Sequence, residues 1–332
     1  MPKPTGRLDF EEPIDALQAE IDALTMLPRT SARHQELQRL RARVTTVRQE
    51  IFASLTPGQR VQIAGHPDRP RMRYYLDRLA SDFTEIHGDR HAGDDPALLA
   101  GFGRVGRHAV LLLGQNKGQG AAAARHRLGA MRPEGYRKAE RALRLAEKFG
   151  RPVVSFVDTP SPHPSVEAET HGIGAAIAAT SRTLAMLRVP TVSVLIGEGG
   201  GAGALALGIS DNILMQEYAT YSVVPPETAA AVLWQDRARG DDATAALRIT
   251  ASDLVALGVV DQAIAEPIGG AHADPDHAAR LLRAALEDAL EDVEKGSCAT
   301  RVEQRHSRFR LMGLAGPPTA GDAPFDPLPG ER

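Results

Sequence analysis

Six glycines lie within thirteen residues in segment 196–208, IGEGGGAGALALG, directly after the apolar run TVSVLI. Backbone N–H groups are the chemistry that such a segment offers, because residues without a Cβ let another group approach the amides closely. We consider three groups that could bind to this backbone: a phosphate, a dinucleotide or an oxyanion.

The residues after the glycines exclude the first interpretation. A phosphate-binding P-loop needs Gly-Lys-Ser/Thr at this point, and here Ala and Leu follow. A dinucleotide fingerprint is present as Gly197-x-Gly199-x-x-Ala202, with Glu217 as its acidic residue, but this match is weak taken alone. In the oxyanion interpretation, amides at the start of the apolar helix ALALG point at developing negative charge. Close packing of a helix on a strand is the purely structural alternative.

Two side chains outside this segment have chemistry of their own. The imidazole of His163 could act as an acid or base near neutral pH, or it could merely fill a loop. Lys117, in GQNKG, could hold an anionic group of a substrate, or it could be an ordinary exposed lysine at a strand end. The segments HPDRP and HGDR have no spacing typical of metal ligands, so no metal site is predicted.

Short β-rich runs alternate with helical patterns after residue 109, which predicts a mostly parallel sheet with crossover helices. The predicted strands are 109–114, 153–158, 191–196, 212–216 and 259–265. Two helices are predicted to begin at Pro133 and Gly174 and to cover a face of the sheet. In this arrangement the glycine-rich segment follows a strand and opens a helix.

Apolar residues recur at helical spacing in two stretches between Leu8 and Leu55, which predicts a helical hairpin. Pro28 and Ser31 are placed in its turn, and Pro57-Gly58 is expected to end the second arm. We interpret the hairpin as an arm packed on its own domain or on a subunit rather than as a long coiled coil.

Three regions follow from these patterns. Residues 1–60 form the helical arm, residues 61–295 form the main domain, and residues 296–332 form a C-terminal extension. Beyond about Leu311 the extension is rich in Pro and Gly with little to bury, so this tail is expected to be disordered.

Composition excludes several classes of protein. The 332 residues suffice for one large or two ordinary domains, and a net charge of -3 offers no basic field for nucleic acid or an anionic membrane. The single cysteine, Cys298, excludes an intramolecular disulfide and a zinc ribbon within this chain. No apolar run has the length of a membrane span and no signal peptide is recognised, so a cytoplasmic protein is expected.

Nine motifs distributed along the chain resemble those of the alpha subunit of bacterial acetyl-CoA carboxylase carboxyltransferase. In chain order they are LDFEEPI, HPDRP, DFTEIHGDR, DDPALLAG, PEGYRKA, VDTP, IGEGG, YSVVPPE and EPIGGAH. The resemblance extends from about Leu8 to about Leu290 with little change in spacing.

This resemblance implies an α/β, crotonase-like (ClpP/crotonase) fold of repeated β-β-α turns. It implies a subunit that is active only with a separate, zinc-ribbon-bearing beta subunit, as an α2β2 assembly. The reaction would move the carboxyl group of carboxybiotin, carried on the biotin carboxyl carrier protein, to acetyl-CoA, giving malonyl-CoA for fatty acid synthesis. No metal, membrane or nucleic acid is expected to bind this chain.

The resemblance also implies the site. The backbone amides of Gly199, Gly200 and Gly201 would form the alpha subunit's oxyanion hole, and one such hydrogen bond can lower a barrier by roughly 3 kcal/mol. The substrate-binding residues that it implies are Lys117, Thr159, Pro160, Ser161, His163, Gly172 and Gly203.

The loop after VDTP departs from the family pattern. The family usually reads Gly-Ala-Tyr-Pro-Gly, whereas this chain has SPHPS at 161–165. If the replaced glycines held positive φ or let the biotin ring approach, Ser161 and Ser165 would cost strain of about 1–3 kcal/mol or narrow the pocket. The departures favour a changed acyl or carrier partner, or a scaffold or regulatory subunit with weakened catalysis. A single-chain crotonase-type enzyme acting on another CoA ester is a third alternative.

Overall fold

Gly6 and residues 8–28, 30–120 and 122–313 are described by the computed structural model, and they form a mixed β-sheet with helices on both faces. The strands are β1 (Ala80–Glu85), β2 (Leu98–Val105), β3 (His108–Gln115), β4 (Val153–Thr159), β5 (Thr191–Gly200), β6 (Asn212–Gln216), β7 (Thr220–Ser222) and β8 (Gln262–Ile264). The helices are α1 (Glu12–Thr25), α2 (Ser31–Ala53), α3 (Pro57–Ala64), α4 (Met72–Leu79), α5 (Ala122–Arg125), α6 (Pro133–Lys148), α7 (Val166–Thr170), α8 (Ile173–Met186), α9 (Gly201–Gly208), α10 (Pro226–Trp234), α11 (Gly240–Leu247), α12 (Ala251–Ala256), α13 (Pro275–Lys295) and α14 (Cys298–Leu311).

The strands follow one another across the sheet almost in chain order. The order is β1-β2-β3-β4-β5-β6-β8, and β7 pairs with β5 off this path. The pairs among β1, β2 and β3 are antiparallel, whereas every later pair is parallel. A mostly parallel sheet with crossover helices is therefore confirmed, and each of the five predicted strands is present.

The central strands are mostly apolar because both faces of the sheet are covered. In β3, Leu111 and Leu113 face a core shared with α6, α8 and α9. Their neighbours Val110 and Leu112 face a second core, shared with α4 and α13. Alternate residues of one apolar run thus fill two different cores.

The sequence pattern does not predict β1 and β2. Most of β1 is polar and partly exposed, and β2 contains Gly101 and Gly103, which are unfavourable in strands. Gly101 is required by packing, because a Cβ there would overlap the carbonyl oxygen of Thr84 and the ring of Phe83. The residue propensities of β2 therefore do not predict a strand, although packing against β1 requires the glycine that lowers its propensity.

Helices α1 and α2 form the predicted hairpin, which packs on its own domain. Its apolar side chains share a cluster with Ile63 of α3 and with Tyr218. The expectation that Pro57-Gly58 ends the second arm is wrong, because α2 ends at Ala53 and Pro57 begins α3. Proline fits this first position because its missing N–H would have no acceptor within the helix.

The C-terminal extension includes α14, a helix that the sequence pattern does not predict. Buried Arg301 and Arg305 join α14 to Asp211, next to the first residue of β6. The tail that was expected to be disordered lies, from residue 314 on, outside the described residues. Among the helices of the described part, none combines the length and the apolar character that a membrane span needs.

Candidate functional site

The three predicted oxyanion-hole glycines lie where β5 passes into α9. Gly199 and Gly200 end β5, and Gly201 begins α9. Gly199 is paired with Thr159 of β4 on one side and with Tyr221 of β7 on the other. The first N–H groups of α9, beginning with Gly201, have no acceptor within the helix. We call this region the β5–α9 junction, residues 199–203.

Close backbone packing explains why side chains are missing at this junction. A Cβ on Gly200 would overlap the carbonyl oxygen of Pro160. A Cβ on Gly203 would lie 2.9 Å from the Tyr136 hydroxyl and 3.0 Å from the nitrogen of Pro162. The approach of the chain after β4 therefore accounts for these two glycines.

The surroundings of Gly201 are more open than those of Gly200 and Gly203. Its φ of +58° lies in the left-handed region, which glycine adopts without strain. The one atom near its would-be Cβ is the carbonyl oxygen of Val223, at 3.0 Å. Gly201 is partly exposed and Ala202 is exposed. An external group can therefore reach the start of α9, where the backbone favours negative charge.

The loop 160–165 faces the junction and is held by short-range hydrogen bonds. The Thr159 hydroxyl donates to the carbonyl of Ser161 at 2.8 Å, and the Ser161 hydroxyl donates to the carbonyl of Pro162 at 2.9 Å. The N–H of His163 donates to the carbonyl of Met131 at 3.1 Å. The predicted residues Thr159, Pro160 and Ser161 are therefore brought against the junction in one fixed loop.

The serines that replace family glycines adopt ordinary backbone conformations. Ser165 has a φ of −146°, and its hydroxyl accepts a hydrogen bond from the N–H of Ala168 at 3.1 Å, which caps α7. Neither Ser161 nor Ser165 is among the described non-glycine residues with positive φ. The conformational strain considered for these substitutions is absent.

His163 and Gly172 occupy different places. Burial, with nearby Arg127 and Arg132, lowers the pKa of His163, which favours a neutral imidazole in this loop. Gly172 lies between α7 and α8, with a φ of +76°, and its N–H donates to the carbonyl of Glu169. His163 thus belongs to the loop that faces the junction, whereas Gly172 belongs to the helix connection after it.

Lys117 is buried rather than exposed, and two carboxylates surround its ammonium group. Its Nζ lies 2.7 Å from Oδ1 of Asp158 and 2.5 Å from Oε2 of Glu198. Burial opposes the charge, but the two carboxylates outweigh it and raise the pKa of Lys117. The lysine is therefore a stable cation, and its binding of a substrate anion remains a prediction.

A bulge in β5 lies directly before the junction. Val157 pairs with Leu195 and Thr159 pairs with Gly199, so a single residue of β4, Asp158, faces three residues of β5. Bulges of this kind redirect a strand and are common beside active sites. We call residues 196–198 the β5 bulge.

Four residues around this bulge were not predicted as site residues, although each is buried or holds a buried partner. They are Arg69, Gln115, Asp158 and Glu198. The signal in the sequence is a polar residue at the end of an apolar strand or inside a recognised motif, as Asp158 is in VDTP and Glu198 in IGEGG. The partners of these residues lie far away in the chain, which no local pattern shows.

A small cavity of about 80 Å³ adjoins Lys117, Asp158 and Glu198, and its wall also includes His66 and Arg69. Across the described ranges, no group of three or more His, Cys, Asp or Glu side chains is arranged to hold a metal ion.

Comparison with known proteins adds to this geometry. Residues 7–313 match the family described as "Acetyl co-enzyme A carboxylase carboxyltransferase-like". The chain is 43% identical over 311 residues to the acetyl-coenzyme A carboxylase carboxyl transferase subunit alpha of Acaryochloris marina, covering 92% of this chain and 95% of that protein. It is 42% identical over 313 residues to the subunit of the same name from Burkholderia multivorans, covering 93% and 97%.

Solved structures with lower identity share the fold. A transcarboxylase 12S structure has a TM-score of 0.56 and 22% identity over 67% of this chain, which spans 41% of that longer chain. A Pseudomonas malonate decarboxylase hetero-tetramer in complex with coenzyme A has a TM-score of 0.57 and 16% identity, covering 72% of this chain and 95% of that one. The predicted crotonase-like fold is confirmed. The chain therefore belongs to the acetyl-coenzyme A carboxylase carboxyltransferase family, as a carboxyltransferase alpha subunit.

Proposed function

We propose that this chain, together with a beta subunit, transfers the carboxyl group of carboxybiotin to acetyl-CoA and so produces malonyl-CoA. The observation that carries the proposal is the match to named alpha subunits at 42–43% identity over more than nine tenths of the chain. The finer parts of the proposal are the biotin carboxyl carrier protein, a zinc ribbon on the beta subunit, an α2β2 assembly and a cytoplasmic location.

The β5–α9 junction supports this chemistry because it offers backbone N–H groups at an accessible helix start. Carboxybiotin supplies the carboxyl group that is transferred. An oxygen that gains negative charge beside Gly201 would be stabilised by the first N–H groups of α9 and by the helix dipole. The loop from Thr159 to His163 would bound the space in front of these N–H groups from the opposite side, where Pro160 and Gly203 would limit how closely a substrate approaches, and Gly172 would support that loop. No side-chain base is assigned to this chain.

An exposed apolar surface beside the junction supports a partner subunit. Leu205 on α9 is 44% exposed, and Val223, whose carbonyl lies near Gly201, is 81% exposed. Apolar side chains grouped beside a site are typical of a surface that another protein covers. The proposed beta subunit would cover this side and close the site.

The test measures carboxyl exchange between malonyl-CoA and a biotin derivative. The purified chain is mixed with a zinc-ribbon beta subunit of the same family, and exchange is compared with that of each subunit alone. We expect exchange in the mixture only. Stable co-purification without exchange would support a scaffold, and CoA turnover by the isolated chain would support the single-chain enzyme.

Gly200→Ala tests the junction within this assay. The added methyl would overlap the backbone of Pro160, so we expect the exchange rate to fall by about 10²-fold because the N–H groups of α9 move relative to the substrate. Gly174→Ala in α8 is the matched control, since no atom lies within 4 Å of its would-be Cβ. Equal rates for the two variants would refute a role for the junction.

A further inference from the structure

Three successive residues of the β5 bulge are each held by a buried charged side chain. The carbonyl of Ile196 accepts a hydrogen bond from Nε of Arg69 at 2.7 Å. The Cα of Gly197 packs against the carboxylate of Asp158, which leaves no room for a Cβ. The N–H of Glu198 donates to Oδ1 of the same Asp158 at 3.1 Å.

Lys117 forms ion pairs with both Asp158 and Glu198. Its ammonium group binds the oxygen of Asp158 that accepts the Glu198 N–H, and it also binds the Glu198 side chain. Lys117 is 6% exposed and Asp158 is 3% exposed. Without the lysine, the buried carboxylate of Asp158 would lose this cation and would face the carboxylate of Glu198, whose side chain is 35% exposed, so the two like charges would repel each other.

Along the chain, Asp158 and Glu198, the two partners of Lys117, lie only one or two residues from the loop that packs on the junction and from the junction itself. Glu198 is followed directly by Gly199, the last residue that β5 pairs with β4, and Gly201 begins α9 two residues later. If Glu198 moves, the backbone N–H groups of the junction must therefore move with it. Asp158 is likewise followed by Thr159 and Pro160, which pack on the same glycines.

We propose that Lys117 is a positioning residue: its charge holds Asp158 and Glu198 together, and this contact sets the position of the amides at the β5–α9 junction. The inference rests on the proposed function, since those amides are its proposed oxyanion hole. It assigns to Lys117 a role through the protein backbone in place of direct contact with a substrate anion.

The kinetic experiment compares Lys117→Met and Lys117→Arg in the assembled enzyme. Methionine keeps the length of the side chain and removes its charge, so we expect kcat to fall by about 10²-fold with KM for malonyl-CoA within about twofold of the wild type. Arginine keeps the charge and should retain more activity than methionine. If Lys117 instead binds a substrate anion, KM rises and the inference is overturned.

A double variant separates charge compensation from lost packing. In Lys117→Met with Glu198→Gln, one unpaired carboxylate is removed, so we expect kcat to recover by at least about threefold over the single variant, as coupled residues do. A double variant no better than Lys117→Met contradicts the proposal.

Lys138→Met is the matched structural control. Lys138 is also buried and paired, with its Nζ 2.8 Å from Asp94, but it lies on α6 outside the bulge and the junction. Both lysine variants should lower the thermal stability, and only Lys117→Met should lower kcat. Equal effects of both variants on kcat would mean that Lys117 is merely structural.

Amide hydrogen exchange gives a readout that needs no activity. In Lys117→Met we expect faster exchange at Glu198 and Gly199, whereas Lys138→Met should leave these amides unchanged. If the wild-type assembly shows no carboxyl exchange, the proposed function fails. The amide hydrogen exchange measurement alone then tests the positioning role of Lys117. Unchanged exchange at both amides would then overturn it.

Discussion

At the scale of single residues, most buried polar side chains in the described part of the chain are hydrogen-bonded, and one exception, His272, has a consequence for stability. His66 and His272 stack with ring centroids 3.9 Å apart. The Nε2 of His66 bonds the carbonyl of Gly6 at 2.5 Å, whereas the Nδ1 of His272 is buried with no hydrogen-bond partner in the described residues. Burial, with His66, Arg69 and Arg48 nearby, lowers the pKa of His272 to about 3. This imidazole is therefore neutral at physiological pH.

The depressed pKa of His272 predicts a loss of stability in mild acid. Below about pH 6.5, His272 binds a proton in the unfolded chain but stays neutral in the folded chain. The free energy of unfolding therefore falls as the pH drops towards 3. The slope attributable to this residue is at most about 1.4 kcal/mol per pH unit. Chemical denaturation of the wild type and of His272→Phe between pH 8 and pH 4 measures it.

We expect the two curves to run parallel above pH 7.5 and the wild type to lose more stability than the variant below pH 6, because phenylalanine keeps a flat ring on His66 and cannot take up a proton. Parallel curves over the whole range would contradict the assignment of acid sensitivity to His272.

At the scale of elements, short segments are held in place by their own caps and by neighbouring backbone. The loop 160–165 uses the hydroxyls of Thr159 and Ser161 to bond its own carbonyls, and Ser165 then caps α7. The serines that differ from the family pattern thus have local structural roles. Their presence does not distort the loop that faces the β5–α9 junction.

The cap of α7 can be tested by substitution of Ser165. Ser165→Ala removes the acceptor for the Ala168 N–H, and we expect the free energy of unfolding to fall by about 1 kcal/mol. Ser165→Gly should lose only a few tenths of a kcal/mol, because glycine is tolerated at this position. Urea unfolding of the three proteins measures the difference.

The same two variants also report on catalysis. Because Ser165 is unstrained, Ser165→Gly should leave the rate of carboxyl exchange within about twofold of the wild type. A large gain in rate would show instead that serine limits the site.

At the scale of the whole molecule, the two cores on either side of the sheet are joined to the N-terminal hairpin and to α14 at the edges. Arg305 is the main tie of α14 and is 1% exposed. Its guanidinium group donates to both carboxylate oxygens of Asp211 at 2.9 Å, and also to the carbonyls of Leu184 and Leu187 at the end of α8. One side chain thus connects α14, α8 and the segment before β6.

Arg305→Met is expected to release α14. It removes the bidentate partner of Asp211, which keeps only Arg301 and Thr191 as donors, and it removes the guanidinium donor of the terminal carbonyls of α8. We expect the free energy of unfolding to fall by about 3 kcal/mol. Arg310→Met on the exposed face of the same helix is the control and should change it by less than about 0.5 kcal/mol. Differential scanning calorimetry and amide exchange in α14 measure both, and equal values for the two variants would contradict this role of Arg305.

The amino-acid sequence by itself determined the alternation of strands and helices after residue 109, the helical hairpin, and the placement of a glycine-rich turn between a strand and a helix. These features could be predicted because hydrophobic periodicity and the residues that begin and end helices act over a few residues. β1, β2 and α14 could not be predicted, because their stability comes from distant partners, such as the Thr84 carbonyl packed against Gly101 and Asp211 bound to Arg305.

Only the tertiary structure decided what the glycines pack against and how Lys117 is used. The lysine meets Asp158 and Glu198 because three strands end at one place in a defined register, with a bulge of three residues opposite one. Register is set by the packing of both faces of the sheet at once. For this reason the sequence could predict a site at the turn between β5 and α9, whereas the charges around that turn are known only from the tertiary structure.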